Sequence, residues 1–195
     1  MSQPDARPAV ERFHATNGRA SGYLGLAVGV AVLALAIAGW STGRALGVAI
    51  LAVLGLLLVW VVMLRPAMWA TERDLVVRGM YRTDSVPLAS IDKVAVGQVT
   101  AVTAGDQRFL SPVVGYTARQ TIKQRAAKAP SSSSAAASAA DTYQVFVEER
   151  ITHLAREARE LYGDDGSVAR RTYAWPELVG TGVLLLAFLV WLLAF

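Results

Sequence analysis

Long unbroken apolar runs flank a mixed, more polar interior in this chain. Residues 21–40 (SGYLGLAVGVAVLALAIAGW) and 45–64 (ALGVAILAVLGLLLVWVVML) contain no charged side chain. Residues 177–195 (ELVGTGVLLLAFLVWLLAF) carry a single acid, at their first position. About 20 apolar residues in a helix match a hydrocarbon core about 30 Å thick. The helix is required because every backbone N–H and C=O needs a partner where water is absent. The pattern therefore predicts three transmembrane helices, with the short polar link Ser41-Thr42-Gly43-Arg44 joining the first two as an antiparallel hairpin. A cleaved signal peptide ending at Ala36-Ile37-Ala38 is the weaker reading, because the run is long and a second span follows almost at once.

The interior changes texture. Leu75-Val76-Val77 follows the polar turn Thr71-Glu72-Arg73-Asp74 and stops before Gly79, as a short strand would. Residues 81–88 alternate loosely up to Pro87, and Ile91, Val94 and Val96 supply apolar positions before Gly97. Residues 99–103 and 108–110 flank Ala104-Gly105-Asp106-Gln107, a hairpin signature because glycine tolerates the backbone that tight turns require. Short strands with close turns predict a meander. The basic stretch TARQTIKQRAAK (117–128) leads into a Ser/Ala linker at 129–140 with too little bulky apolar content to order itself. Residues 141–163 then predict an amphipathic helix. Val147, Ile151, Leu154, Ala158 and Leu161 recur at spacings of four and three, Asp141 or Thr142 can cap the start, and Gly163 the end. The stripe either packs on the strands, the preferred reading, or binds a partner through Val147, Ile151, Leu154 and Leu161.

The domain plan that follows is an N-terminal tail (1–20), a transmembrane hairpin (21–64), a β domain (65–128), the linker (129–140), the amphipathic helix (141–163) and a third span (177–195). Arginine placement adds an orientation. Arg7, Arg12 and Arg19 precede the first span, Arg65 and Arg73 follow the second, and Arg170 and Arg171 precede the third; the hairpin turn has only Arg44. By the positive-inside rule the N-terminus and the central domain are cytoplasmic and the C-terminus is outside. Aromatics mark the boundaries, with Tyr23, Trp69, Tyr173 and Trp175 near the inner interface and Trp40 and Trp191 near the outer.

Composition narrows the function. With no cysteine there are no disulfides, thiolate nucleophiles or cysteine-held metals, and His14 and His153 are too far apart in sequence to suggest a histidine site. No cofactor is expected. A net charge of +4 and 17% charged residues suit a protein beside anionic lipid, and without interleaved aromatics the basic residues do not point to nucleic acid. No span has an ionisable residue in its interior, which argues against transport. Gly25 and Gly29 form a GxxxG that can serve homo-oligomerisation or, preferably, packing on the second span. Asp164-Asp165-Gly166 reads as a turn, Glu148-Glu149 as a solvated helix face, and Ser111-Pro112 lacks a nucleophile motif, so no enzyme is expected.

The hairpin followed by RPAMWATERDLVVRGMYRTDSVPLASIDKVAVGQV resembles bacterial pleckstrin-homology-like membrane proteins of the low molecular weight protein antigen 6 type. The likeness covers roughly residues 65–116 and the preceding hairpin. It implies a multi-pass protein of the bacterial cell membrane, with a small, partly open β-barrel closed by a C-terminal helix. This chain departs from the pattern in its Ser/Ala linker and third span. Pleckstrin-homology folds often hold phosphoinositide heads in a basic pocket, but Arg73, Arg78 and Arg82 are scattered here. The expected role is a membrane-anchored scaffold that binds a protein partner. The alternative is an anionic-lipid sensor using Arg119, Lys123, Arg125 and Lys128, at about 1 kcal/mol per basic residue near the leaflet.

Overall fold

The computed structural model describes residues 10–15, 18–39, 43–115, 139–163 and 168–194. It divides into a β unit (1–17, 66–79 and 83–172) and a helical unit (18–65, 80–82 and 173–195).

In the helical unit, α1 (Arg19–Ala38), α2 (Gly43–Val59) and α4 (Trp175–Ala194) follow the apolar runs. Three 20-residue helical stretches, Arg19–Ala38, Ala45–Leu64 and Trp175–Ala194, are long and apolar enough to cross a membrane. A π-helical turn (Trp60–Leu64) extends α2 and ends where the Arg65 amide donates to the Trp60 carbonyl at 2.8 Å. The glycines of α1 face α2. A Cβ at Gly25 would lie 3.2 Å from Val59, and one at Gly29 would lie 2.6 Å from Leu56. The GxxxG is thus occupied by packing within the chain, the Val59 and Leu56 side chains of α2 filling the space that the glycines leave open. On its other side α2 meets α4, where the Trp191 indole covers Gly47 and Leu57 lies against Gly180. Trp191 therefore packs between helices, a role that its position near a span end does not reveal.

The β unit holds two sheets and one helix. One sheet has the order β1 (Glu11–Phe13), β2 (Ala67–Ala70), β3 (Asp74–Arg78), β4 (Arg82–Pro87), β8 (Arg170–Tyr173). The other is the meander β5 (Lys93–Val96), β6 (Thr100–Ala104), β7 (Gln107–Ser111). The pairings β1–β2, β2–β3, β3–β4, β5–β6 and β6–β7 are antiparallel. Period-2 burial follows the sequence pattern: Leu75 and Val77 of β3 point into the core with Met68 and Ala70 of β2 and Val86 of β4. The β6–β7 turn sits at Gly105, with φ +54°, and the Gly105 amide donates to Asp92 Oδ2 at 2.7 Å. A 3-10 turn (Leu88–Ser90) connects the sheets, burying Leu88 and leading to buried Ile91.

Helix α3 (Ala139–Tyr162) completes the core. Val147, Ile151, Ala155 and Ala158 are buried against Phe13, Leu75, Val102 and Phe109. The helix starts at Ala139, so Asp141 and Thr142 lie inside its first turn and not at its cap. Gly163 ends it as expected, with φ +69° and its amide donating to Arg159 O at 3.0 Å.

Two strands fall outside the sequence expectation. The tail assigned to 1–20 supplies β1, in register with β2 (Glu11 opposite Ala70, Phe13 opposite Met68). The stretch before the third span supplies β8, beside β4. Trp69, expected at the membrane interface, is a β2 residue opposite Arg12 and Val76.

Candidate interaction groove

The amphipathic stripe of α3 divides into two parts. Val147 and Ile151 are fully buried in the core of their own unit. Leu154 is half-buried, and Leu161 is 68% exposed. Of the four residues expected to bind a partner, only the last two reach the surface, and both line one groove. Its floor is Leu88, Ala70 and Ala158, each nearly inaccessible to water, and Leu154 and Leu161 form its helical wall. Tyr162 closes one end, with the Arg73 guanidinium 4.8 Å from its ring centroid.

The rim is acidic. Glu11 reaches it from β1, Glu72 from the β2–β3 turn and Glu157 from α3. Arg150 is the one basic residue in the lining among the described residues, and its Nε and Nη2 both contact Glu11 at 2.9 Å. Hydrogen bonding to Glu11, then the charge of Glu11 and, less, that of Glu157, raise the Arg150 pKa, so the guanidinium stays charged among these carboxylates. Glu157 lies 3.8 Å from His153, both exposed, and its charge also acts on Arg150. Glu72 has no ion-pair partner among the described residues. Among the described lining residues three carboxylates thus face one guanidinium above an apolar floor.

The groove is held by polar contacts that the sequence does not announce. Arg159 donates to Ala89 O at 2.7 Å and also to Ile91 O, tying the last turns of α3 to the 3-10 turn beneath Leu88. Glu148 Oε2 accepts the Val96 amide at 3.0 Å, and Gln144 donates to Gly115 O at 2.9 Å, fixing the start of α3 on the second sheet. Tyr143 Oη accepts the His14 amide at 2.7 Å and holds the end of β1. The helix that forms the groove wall is therefore anchored along its length.

Beyond Tyr162 lies a second depression, lined by Arg73, Asp74, Ser85, Tyr162 and Arg170. Arg78 and Arg82 lie in neither depression. Arg119, Lys123, Arg125 and Lys128, the expected lipid-binding cluster, lie outside the described residues. Among the described residues no group of three or more His, Asp or Glu side chains could hold a metal ion.

The helical unit has its own polar anchor. Arg65, only 5% exposed in its side chain, donates from Nε to Glu177 Oε1 at 2.9 Å and from Nη1 to Met80 O at 2.8 Å. Tyr81 Oη and Thr181 Oγ1 are 3.1 Å apart, and the Ala174 amide donates to Tyr81 O at 2.8 Å. The end of α2, the 80–82 segment and the first turn of α4 are thereby joined through one buried guanidinium. No family model matches the chain, and no curated protein or solved structure matches it.

Proposed function

We propose that this chain is a membrane-anchored interaction module of pleckstrin-homology-like design, which binds a protein partner and performs no catalysis. Three spans hold the β unit at the cytoplasmic face of a bacterial cell membrane, an orientation that rests on the distribution of arginines around the spans. The reading is carried by one observation: α3 uses Val147 and Ile151 for its own core, yet ends in an exposed leucine above an apolar, charge-rimmed groove. A leucine kept 68% exposed beside buried Leu88 and Ala158 is the anatomy of an interface anchor with a polar rim. Two sheets completed by a helix also accord with the fold that the sequence resemblance implies.

The test is capture of the intact protein in native-lipid particles, with mass spectrometry of bound proteins and lipids. A stoichiometric protein lost from Leu154→Glu and Leu161→Glu, both on the surface, supports the module. Enrichment of one anionic lipid without a protein, lost when Arg119, Lys123, Arg125 and Lys128 become Gln, makes the chain a lipid sensor instead.

A further inference from the structure

We infer that the groove beside α3 takes a basic, leucine-containing juxtamembrane segment of a second membrane protein. The inference rests on the interaction reading above and names the partner's chemistry. Charge complementarity carries it. Among the described lining residues Glu11, Glu72 and Glu157 outnumber Arg150 and give the rim a net negative charge, over a floor of Leu88, Ala70 and Ala158 with Leu154 in the wall. An apolar side chain on that floor would carry neighbouring cations toward these carboxylates. The same charge disfavours an anionic headgroup, which would meet like charge at the rim.

Juxtamembrane segments have the matching composition for a general reason. Cytoplasmic flanks of membrane spans are enriched in Lys and Arg directly beside apolar residues. A groove on a domain tethered to the same leaflet meets such flanks at high effective concentration, so modest intrinsic affinity suffices. Across Tyr162 the balance reverses, because Arg73 and Arg170 outnumber Asp74 among the described residues that line the neighbouring depression. A cationic segment is thus confined to the acidic side, which gives the groove a direction as well as a preference.

The experiment uses the full chain in nanodiscs of phosphatidylcholine, which does not attract cations. The probe is a short fluorescein-labelled peptide of arginine and leucine, compared with a counterpart bearing glutamate in place of arginine. Saturable anisotropy for the basic peptide alone is expected. It should weaken about tenfold in Glu72→Gln/Glu157→Gln and also in Leu161→Ala, at surface positions that leave the fold intact. Equal binding by both peptides, or wild-type binding by the double variant, overturns the inference. A photoreactive residue at position 161, used in native membranes, separates this failure from a wider one. An adduct to a neutral or acidic segment, or to a second copy of this chain, overturns the basic-segment inference and keeps the interaction module. No adduct at all overturns both.

Discussion

Shortening Ile151 to alanine tests whether α3 is an integral part of the β unit. Ile151 is fully buried among the core side chains, and Leu161, ten residues further along the same helix, is 68% exposed. Ile→Ala at a buried site removes transfer free energy and leaves a cavity, at about 2–5 kcal/mol. A domain of ordinary stability has about 5–15 kcal/mol in all, so the loss is large without necessarily unfolding it. Truncating Leu161 removes contacts that solvent already shares, and the cost should stay within about 0.5 kcal/mol. Hydrogen exchange of the full-length protein, read at the amides of β3, reports opening of this unit separately from the helices. Ile151→Ala should speed exchange at Leu75 and Val77 roughly thirtyfold or more, and Leu161→Ala by no more than about threefold. If Ile151→Ala left β3 protection unchanged, α3 would not be part of that core, and the groove would lose its fixed wall.

Three further outcomes follow from the packing. Because a Cβ at Gly47 would lie 2.5 Å from Trp191 Cε2 and Cη2, Gly47→Ala must push the indole back by about 1 Å, at about 1–3 kcal/mol. Cysteines at Leu57 and Gly180 in this cysteine-free chain should then cross-link less efficiently, and Trp191→Ala should restore the yield. Arg65→Lys should not rescue the loss of thermal stability seen in Arg65→Ala, because a single ammonium cannot reproduce the fork that spans Glu177 and the Met80 carbonyl. In the β unit, Asp84 is 4% exposed in its side chain and Arg171, 2.6 Å away, is 41% exposed. Arg171→Met should therefore destabilise more than Asp84→Asn, as the first strands a buried carboxylate without that cation and the second removes the charge, with melting temperature as the measure.

Elements written by local pattern were legible in the sequence, and those made by distant contacts were not. The three apolar runs predict α1, α2 and α4 to within a few residues, since only unbroken apolar sequence builds such helices. Gly105 marked the β6–β7 hairpin because its positive φ is a local demand. The strands β1 (ERF) and β8 (RRTY) carry no such signal. Phe13 and the Glu11–Arg150 pair hold β1, and the Arg171–Asp84 pair links β8 to β4, through residues remote in sequence. The groove divides in the same way. Leu154 and Leu161 were visible as helical periodicity, whereas Glu11 and Glu72 come from the tail and a turn, and only the fold brings them beside Glu157. Periodicity also could not separate the buried half of the α3 stripe from its exposed end, because both halves repeat identically. Spacing selects a face of a helix, while the length of sheet available beneath it decides how much of that face is covered.

The central claim is that a membrane-held β domain works through the exposed end of α3. Photo-crosslinking in native membranes tests it most directly, with the photoreactive residue placed in turn at Leu161 and at Leu110, a half-exposed β7 residue outside the groove. The account predicts a discrete protein adduct from position 161 that disappears with Leu154→Glu, and none from position 110. Equal adducts from both positions, or lipid adducts alone from position 161, would contradict it.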